Sequence, residues 1–430
     1  MDRTGAARDA AVKIVQVLHD HGHTAYLNGG CVRDTLLGIE PKDYDVATDA
    51  RPDVVRRLFD NTQYVGESFG VVLVRLNHVS IEVATFRIEW GYQDGRRPTQ
   101  VQFSDAEHDA LRRDFTINAL FEDPLATSEA DRIIDYVDGR ADLEAGLIRA
   151  VGDPDQRFGE DYLRMLRAVR FAAWLGFKIE KRTARAIRNH AHQLGRISPE
   201  RIGQEVAAML TPAPPARPAT AIRLMQRLRL DSAVLNEDHA AVKIPTTAAL
   251  RAKRGNPISY ATVLAAWMLD RHVFHDEKAD TAAVERFVEG PMPAVVRRWR
   301  RSLCLSNDDR DALRAILTHL PRALAWSSQG VALRKRLLAT PCWPQVFALL
   351  CAERHRPGVT ALAGRIDREA KALFAEGVAP PPLANGDDLI AMGHKPGPEF
   401  RRLLDAVYDA QLEGRIRSRQ DALRWLQQAK

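Results

Sequence analysis

The sequence predicts an α+β protein, with a mixed α/β domain at the N-terminus and an all-helical remainder. Three observations carry this. Helix-like and strand-like runs alternate up to about residue 145. After Gly152 only helical periodicity remains. At 430 residues the chain is too long for one compact core, so several domains are expected.

An amphipathic run near Ala7–Asp20 opens the chain as a helix and leads to a strand at Thr24–Leu27, a Gly29-Gly30 turn and a short helix. A second strand carries Asp43 and Asp45. Pro52 opens a helix over PDVVRRLFD, because proline suits the first helical turn. Gly70–Leu76 and Ser80–Phe86 read as strands joined by a turn at Asn77-His78. Beyond Gly152, Glu160–Leu175 is strongly periodic and Thr183–His192 is a second helix. Ser198-Pro199-Glu200 starts a third, with serine as its cap. The proline-rich Thr211–Pro218 reads as an interhelix loop, with a linker as the alternative, and further breaks fall near Pro257, Gly290–Pro293 and Pro380–Pro382.

Composition is that of an ordinary globular protein, 45% apolar and 27% charged, with no apolar run near the ~20 residues that span a bilayer. The polar start MDRTGAARDAA carries no secretory signal pattern. Cys31, Cys304, Cys342 and Cys351 are scattered without zinc-ligand or disulfide spacing, so a reduced cytoplasm is expected. The net charge of +6 is concentrated in arginine clusters at Arg297–Arg301, Arg334–Arg336 and Arg415–Arg419. Guanidinium groups suit a phosphate backbone, which tilts the reading slightly toward a polyanionic partner.

The chemistry lies in LNGGCVRDTLLGIEPKDYDVAT. Asp43 and Asp45, one residue apart on an extended segment, point to the same face. Carboxylates held that close repel unless cations lie between them, and hard Mg²⁺ completed by phosphate oxygens is the usual partner. Gly29 and Gly30 let backbone N–H groups approach a phosphate. The stretch therefore reads as a metal-dependent nucleotidyl-transfer site. Glu82, outward-facing between core-facing Ile81 and Val83, supplies a third acid. In Leu111–Ala119, the Arg112-Arg113 pair can meet phosphate, while Asp114 and Asn118 lie four apart on one helix face, Asp114 reading equally as a helix cap. Asp161, Arg164 and Arg167 are spaced to share a face of the Glu160 helix, a surface ion-pair ladder being the plain alternative.

The Gly-Gly/Asp-x-Asp stretch, EVATF, RRDFTINA, EDYLRMLRAVRF and ISPERI follow one another in an order and at intervals that resemble the class II CCA-adding enzyme and bacterial poly(A) polymerase family, in the polymerase-β nucleotidyltransferase superfamily. The resemblance covers residues 15–210 and returns in Gly386-Asp387-Asp388-Leu389 and Gly393–Pro398. It implies a nucleotidyltransferase head (1–148), a base-recognising neck (149–212), and a body (213–335) and tail (336–430) that bind the tRNA acceptor and T-arm. It implies two Mg²⁺ ions on Asp43, Asp45 and Glu82, and CTP and ATP as substrates. Gly29, Gly30 and Arg33 would meet the triphosphate, Asp161 and Arg164 the incoming base, with Arg113, Asp114, Asn118, Arg167, Arg170 and Arg201 completing the nucleotide site. An Asp acceptor and an Arg donor match cytosine and adenine and mismatch guanine and uracil.

Within the family, Tyr64–Gly70 resembles the CCA-adding pattern, where poly(A) polymerases carry an arginine-containing version. The Arg87–Pro98 loop argues against CC-only addition and has the composition of a mobile lid, a plain hairpin connection being the alternative. Full CCA addition leads, followed by A-only addition and poly(A) tailing. A tRNA-binding relative without catalysis, and nucleotidyl transfer to a small molecule, fit less well. His275-Asp276 lacks a surrounding metal-ligand pattern and reads as incidental.

Overall fold

The computed structural model describes residues 3–64, 70–76, 78–91, 100–211, 217–251, 258–274 and 281–428. The interior of the Tyr64–Gly70 segment, the Arg87–Pro98 loop from residue 92 on, most of the Thr211–Pro218 break, Asn77 and His275-Asp276 lie outside the described residues. The chain divides into two compact units, one of residues 1–209 and 215–239, the other of residues 210–214 and 240–430. No described helix is long and apolar enough to cross a membrane.

The first unit begins with helix α1 (Arg3–Asp20), whose Ile14, Val15 and Leu18 are fully buried. Strand β1 (Ala25–Asn28), helix α2 (Gly30–Leu36), β2 (Asp45–Thr48), α3 (Pro52–Leu58), β3 (Thr62–Tyr64), β4 (Val71–Leu76) and β5 (Val79–Thr85) follow. The hairpin β6 (Arg87–Trp90) and β7 (Gln100–Phe103) pairs on its own. Then come α4 (Ala106–Leu111), a 3-10 turn at Thr116–Asn118, β8 (Phe121–Glu122), α5 (Glu129–Arg132), β9 (Ile133–Ile134) and α6 (Gly139–Glu144). The main sheet has seven strands in the order β3-β4-β5-β2-β1-β8-β9. Only β2 and β5 run parallel; the other neighbours are antiparallel.

This topology sets the acidic strand β2 in the middle, with Val46, Ala47 and Thr48 buried. Beneath it Tyr26, Phe86 and Phe121 form an aromatic cluster, with ring centroids 6.0–6.3 Å apart. Burial of that many apolar atoms fixes the register, because a one-residue slip would turn Tyr44 outward and the carboxylates into the core.

After the short parallel pair β10 (Leu147–Ile148) and β11 (Lys178–Ile179), the unit is helical: α7 (Pro154–Glu160), α8 (Arg164–Leu175), α9 (Lys181–His190), α10 (Pro199–Leu210), α11 (Pro218–Arg227) and α12 (Asp231–Leu235). One expectation is corrected here. Glu160–Leu175 is not a single helix: α7 stops at Glu160, Asp161 is extended (φ −148°, ψ 106°), and α8 starts at Arg164. The Asp161 carboxylate accepts from the Leu163 N–H at 3.0 Å, offering the backbone a partner that competes with helix continuation. Asp161 therefore does not share a helix face with Arg164 and Arg167.

The described secondary-structure elements of the second unit are all helices. Its central helix, Tyr260–His272, is buried almost all round and packs Trp267 against Trp299 at 5.2 Å. Toward the C-terminus, Leu389, Leu403, Val407, Ala410 and Leu426 form a separate apolar cluster. Asn385 caps helix Gly386–Ala391 with a reciprocal box to Asp388, which accounts for the second acid of the Asp387-Asp388 pair.

Candidate functional site

Asp45, at the first position of β2, is paired in register with Glu82 on β5 and with Asn28 on β1. Asp43 lies two residues upstream; it and Glu82 are exposed, while Tyr44 between the acids is buried. Three carboxylates thus border one patch at the centre of the sheet. Burial first, then the charges of Asp43 and Glu82, push the Asp45 carboxyl up to about 6, with Arg113 acting against them. Negative charge is under-compensated here.

The turn before β2 is shaped by Gly29, which sits at φ 73°, ψ −123° and leads into α2. A Cβ at Gly29 would stand 3.0 Å from Arg113 Nη1. Arg113 fastens the turn: it donates to Asn28 Oδ1 (2.7 Å), Asn118 O (2.9 Å) and Asp109 Oδ2 (2.9 Å). Asn28 and Asp109 had not been singled out in the sequence, although Asn28 directly precedes the glycines in LNGG.

Arg33 is buried rather than displayed. It donates to Asp34 at 2.8 Å and Asn118 Oδ1 at 2.6 Å, and its guanidinium lies 5.1 Å from the ring centroids of both Phe171 and Trp174. Asn118 in turn donates to Asp114 (3.1 Å), so the expected pairing of these two residues holds, but on a three-residue 3-10 turn instead of an α-helix. The residue before that turn is Phe115, without a side-chain cap, so the reading of Asp114 as helix cap is corrected. Asp114 instead accepts from the Phe115 N–H and, at 2.7 Å, from Arg167 Nε. Burial opposes ionisation of Asp114, yet the Arg167 charge and the Asn118 hydrogen bond overcome it and hold the carboxyl down to about 2.

In the helical segment, Arg201 Nη2 donates to Asp161 Oδ2 at 2.7 Å. Arg164 donates to the carbonyls of Arg157 (3.0 Å) and Arg112 (3.1 Å) and to Glu160. A carboxylate offers about four acceptor sites, so Asp161, with two in use, retains capacity for a further donor. Arg167 and Arg170 both reach Glu205, at 3.9 and 2.7 Å, and both lie against Phe171.

A cavity of about 270 Å³ opens beside Asp43, bounded among others by Gly30, Arg33, Arg170, Trp174 and Arg217. It brings together the turn, the first acid and α8. Asp45, Glu82, Asp161, Arg164 and Arg201 do not line it.

Oxygen-only carboxylate donors suit a hard cation. No three His, Cys, Asp or Glu side chains form a ready-made cage among the described residues. Mg²⁺ does not ask for one, since it is usually bound through one or two carboxylates with substrate phosphates and water completing the shell. The raised Asp45 carboxyl marks the patch as one that a cation would relieve.

Comparison with known proteins points the same way. A family model described as the poly A polymerase head domain matches residues 25–149, and one described as a probable RNA and SrmB-binding site of polymerase A matches residues 176–237. A CCA-adding enzyme of Lactiplantibacillus plantarum is 34% identical over 417 residues, 96% of this chain and 94% of that protein. The CCA-adding enzyme of Bacillus pumilus is 47% identical over 201 residues, 46% of this chain. In that match and in the one to the Pediococcus pentosaceus enzyme, the chain spans about half of the relative's length, 49% and 50%. The crystal structure of Bacillus stearothermophilus CCA-adding enzyme in complex with CTP superposes with a TM-score of 0.69 at 29% identity, covering 100% of this chain and 98% of that one. The Thermotoga maritima enzyme complexed with tRNA shares the fold, with a TM-score of 0.65 at 19% identity over 98% of this chain and 95% of that one.

Proposed function

The chain belongs to the family of CCA-adding enzymes, and on that premise we propose that it adds CCA to the 3′ end of tRNA from CTP and ATP without a nucleic-acid template. The observation that carries this reading is the in-register Asp45–Glu82 pair with Asp43 just upstream, set beside the left-handed Gly29 turn.

Asp43, Asp45 and Glu82 would hold two Mg²⁺ ions, which supply charge neutralisation on the triphosphate and activation of the attacking hydroxyl. The protein's own groups do the rest. Backbone N–H groups at the start of α2, oriented by the Gly29 turn, meet phosphate oxygens. Asp161 accepts from the exocyclic amino group of cytosine or adenine, while Arg164 donates to the adjacent ring acceptor. Guanine and uracil set acceptor against acceptor and donor against donor, leaving buried groups unpaired. Arg201 keeps Asp161 aimed. The RNA 3′ oxygen then attacks the α-phosphorus and pyrophosphate leaves.

Residues 149–212 are read as the neck that selects the base, and 213–335 and 336–430 as body and tail gripping the acceptor and T-arm. Exposed Arg297, Arg298, Arg300 and Arg301 on helix Met292–Ser302 supply cations for that grip.

The test offers tRNA lacking CCA, or ending in C or in CC, with CTP alone, ATP alone or both. Restoration of CCA on the shortest substrate is expected. Extension only by ATP on the CC-ending tRNA would make this an A-only enzyme. Long A tracts on unrelated RNA would make it a poly(A) polymerase.

A further inference from the structure

We propose that Lys42 and Arg217 hold the triphosphate tail of the incoming nucleotide and the pyrophosphate that leaves from it, an assignment that rests on reading Asp43 and Asp45 as the transfer site. The cavity beside Asp43 contains four cationic side chains, from Arg33, Lys42, Arg170 and Arg217. Two are already committed: Arg33 to Asp34 and Asn118, and Arg170 to Glu205. Lys42 and Arg217 form no ion pair or side-chain hydrogen bond with another described residue, and the charge of Lys42 reaches the Asp34 carboxylate only through space. They are the positive charge left for an anion.

Arg217 is seated by a specific gap. Gly176 closes α8 at φ 77°, and a Cβ there would stand 2.3 Å from Arg217 Nη1 and 3.1 Å from its Cζ. The space a side chain would take is filled by the guanidinium, which brings it to the cavity wall.

The lining says which end of the nucleotide belongs there. Gly30 and Arg33 of the phosphate-binding turn border the cavity, whereas the base-reading Asp161 and Arg164 do not. In the transfer, a bond forms from the RNA 3′ oxygen to the α-phosphorus. The α–β bridging oxygen keeps the electron pair of the broken bond, and the hydroxyl proton passes to solvent. Charge accumulates on pyrophosphate, where Lys42 and Arg217 offset it.

The experiment uses the full chain with tRNA lacking its CCA end. Lys42→Ala and Arg217→Ala should each raise the KM for CTP, and the inhibition constant of added inorganic pyrophosphate, about tenfold, the size of one lost charge-assisted contact. The KM for tRNA should not change, and CMP, which lacks the tail, should compete equally against all forms. Arg217→Lys should recover most of the loss, since a point charge serves a phosphate. Lys42 is exposed, so its removal does not bear on folding. A raised KM for tRNA with unchanged pyrophosphate inhibition would give the cavity to the RNA end and overturn the assignment, as would unchanged constants throughout. If the unsubstituted protein incorporates no CTP, the transfer reading itself fails. Calorimetric binding of pyrophosphate to it, retained in both variants, would then overturn the role of Lys42 and Arg217 separately.

Discussion

Asp45 and Glu82 stand opposite each other across the parallel pair β2–β5, so each of these two neighbouring strands delivers one carboxylate to the same spot while Asp43 adds a third from two residues upstream of Asp45. The arrangement works against folding. Asp45, pushed up to about 6 by burial and then by its acidic neighbours, ionises less readily in the fold than in the unfolded chain. Its favourable contribution is fully present below its ordinary 3.8 and is lost as pH rises through about 6. Without Mg²⁺ at pH 7.5, Asp45→Asn should therefore stabilise the protein by roughly 1–3 kcal/mol. The variant should lose nucleotide incorporation and most of the thermal stabilisation that Mg²⁺ gives the unsubstituted protein. Melting with and without Mg²⁺, beside an incorporation assay, checks both; retained turnover would refute the ligand assignment.

Arg201 acts through Asp161. With their 2.7 Å bond removed, Asp161 keeps only its contact to the Leu163 N–H and is freer to turn away from a base. Arg201→Ala should lower the preference for CTP over UTP by about 10- to 100-fold, the scale of a mispaired polar group, with tRNA affinity unchanged. Asp161→Ala should do at least as much. Single-nucleotide incorporation with all four triphosphates measures it; a uniform fall in rate with selectivity intact would reduce Arg201 to a structural role.

Much of this site was legible because period-two alternation is a local property. The spacing Asp43-Tyr44-Asp45, and Glu82 between buried Ile81 and Val83, follow from which face the core needs. What the sequence does not display is competition for the same groups. Nothing in GGCVRD says that Arg33 turns inward to Asn118, Phe171 and Trp174, because those partners lie 85 or more residues away. The helix break at Asp161 was hidden because EDYLRMLR has good helical periodicity throughout, and a single carboxylate–amide bond outcompetes it. At Arg87–Pro98 the sequence offers a hairpin connection only as the alternative to a mobile lid, and β6 and β7 do pair antiparallel there. What the sequence does not show is that Arg112, read there as a phosphate contact, donates to Glu89 of β6 at 3.1 Å.

Gly139 shows a steric constraint with a clear sign. It starts α6 with ordinary backbone geometry, so Gly→Ala would normally stabilise through the unfolded chain. Here a Cβ would stand 2.3 Å from the Thr116 carbonyl oxygen and 3.0 Å from Leu120 Cδ2. A backbone oxygen cannot step aside, and the Thr116 turn carries Asn118, which holds Arg33. Gly139→Ala should cost about 1–3 kcal/mol in urea unfolding and raise the KM for CTP. A stability gain would show that the turn is far softer than its contacts imply.

Glu353 gives the second unit its own pH dependence. Its side chain is fully buried next to Asp270 and Arg356, with Arg356 Nη1 3.7 Å from Oε2. Burial is the largest influence and the Asp270 charge adds to it, so the carboxyl rises from its ordinary 4.5 to about 8 despite Thr246 and Arg356. A group harder to ionise in the fold than in the unfolded chain favours folding fully below 4.5, and that contribution fades as pH climbs to about 8. The unsubstituted protein should therefore lose on the order of a few kcal/mol between pH 5 and pH 9 from this residue alone. Glu353→Gln keeps the shape and cannot ionise, so its melting temperature should change less over that range and exceed that of the parent at pH 9. At pH 5, where the native carboxyl is protonated, the two should melt close together. If instead the glutamine form is the weaker one at pH 9, the Arg356 charge holds an ionised Glu353 and burial does not decide its state.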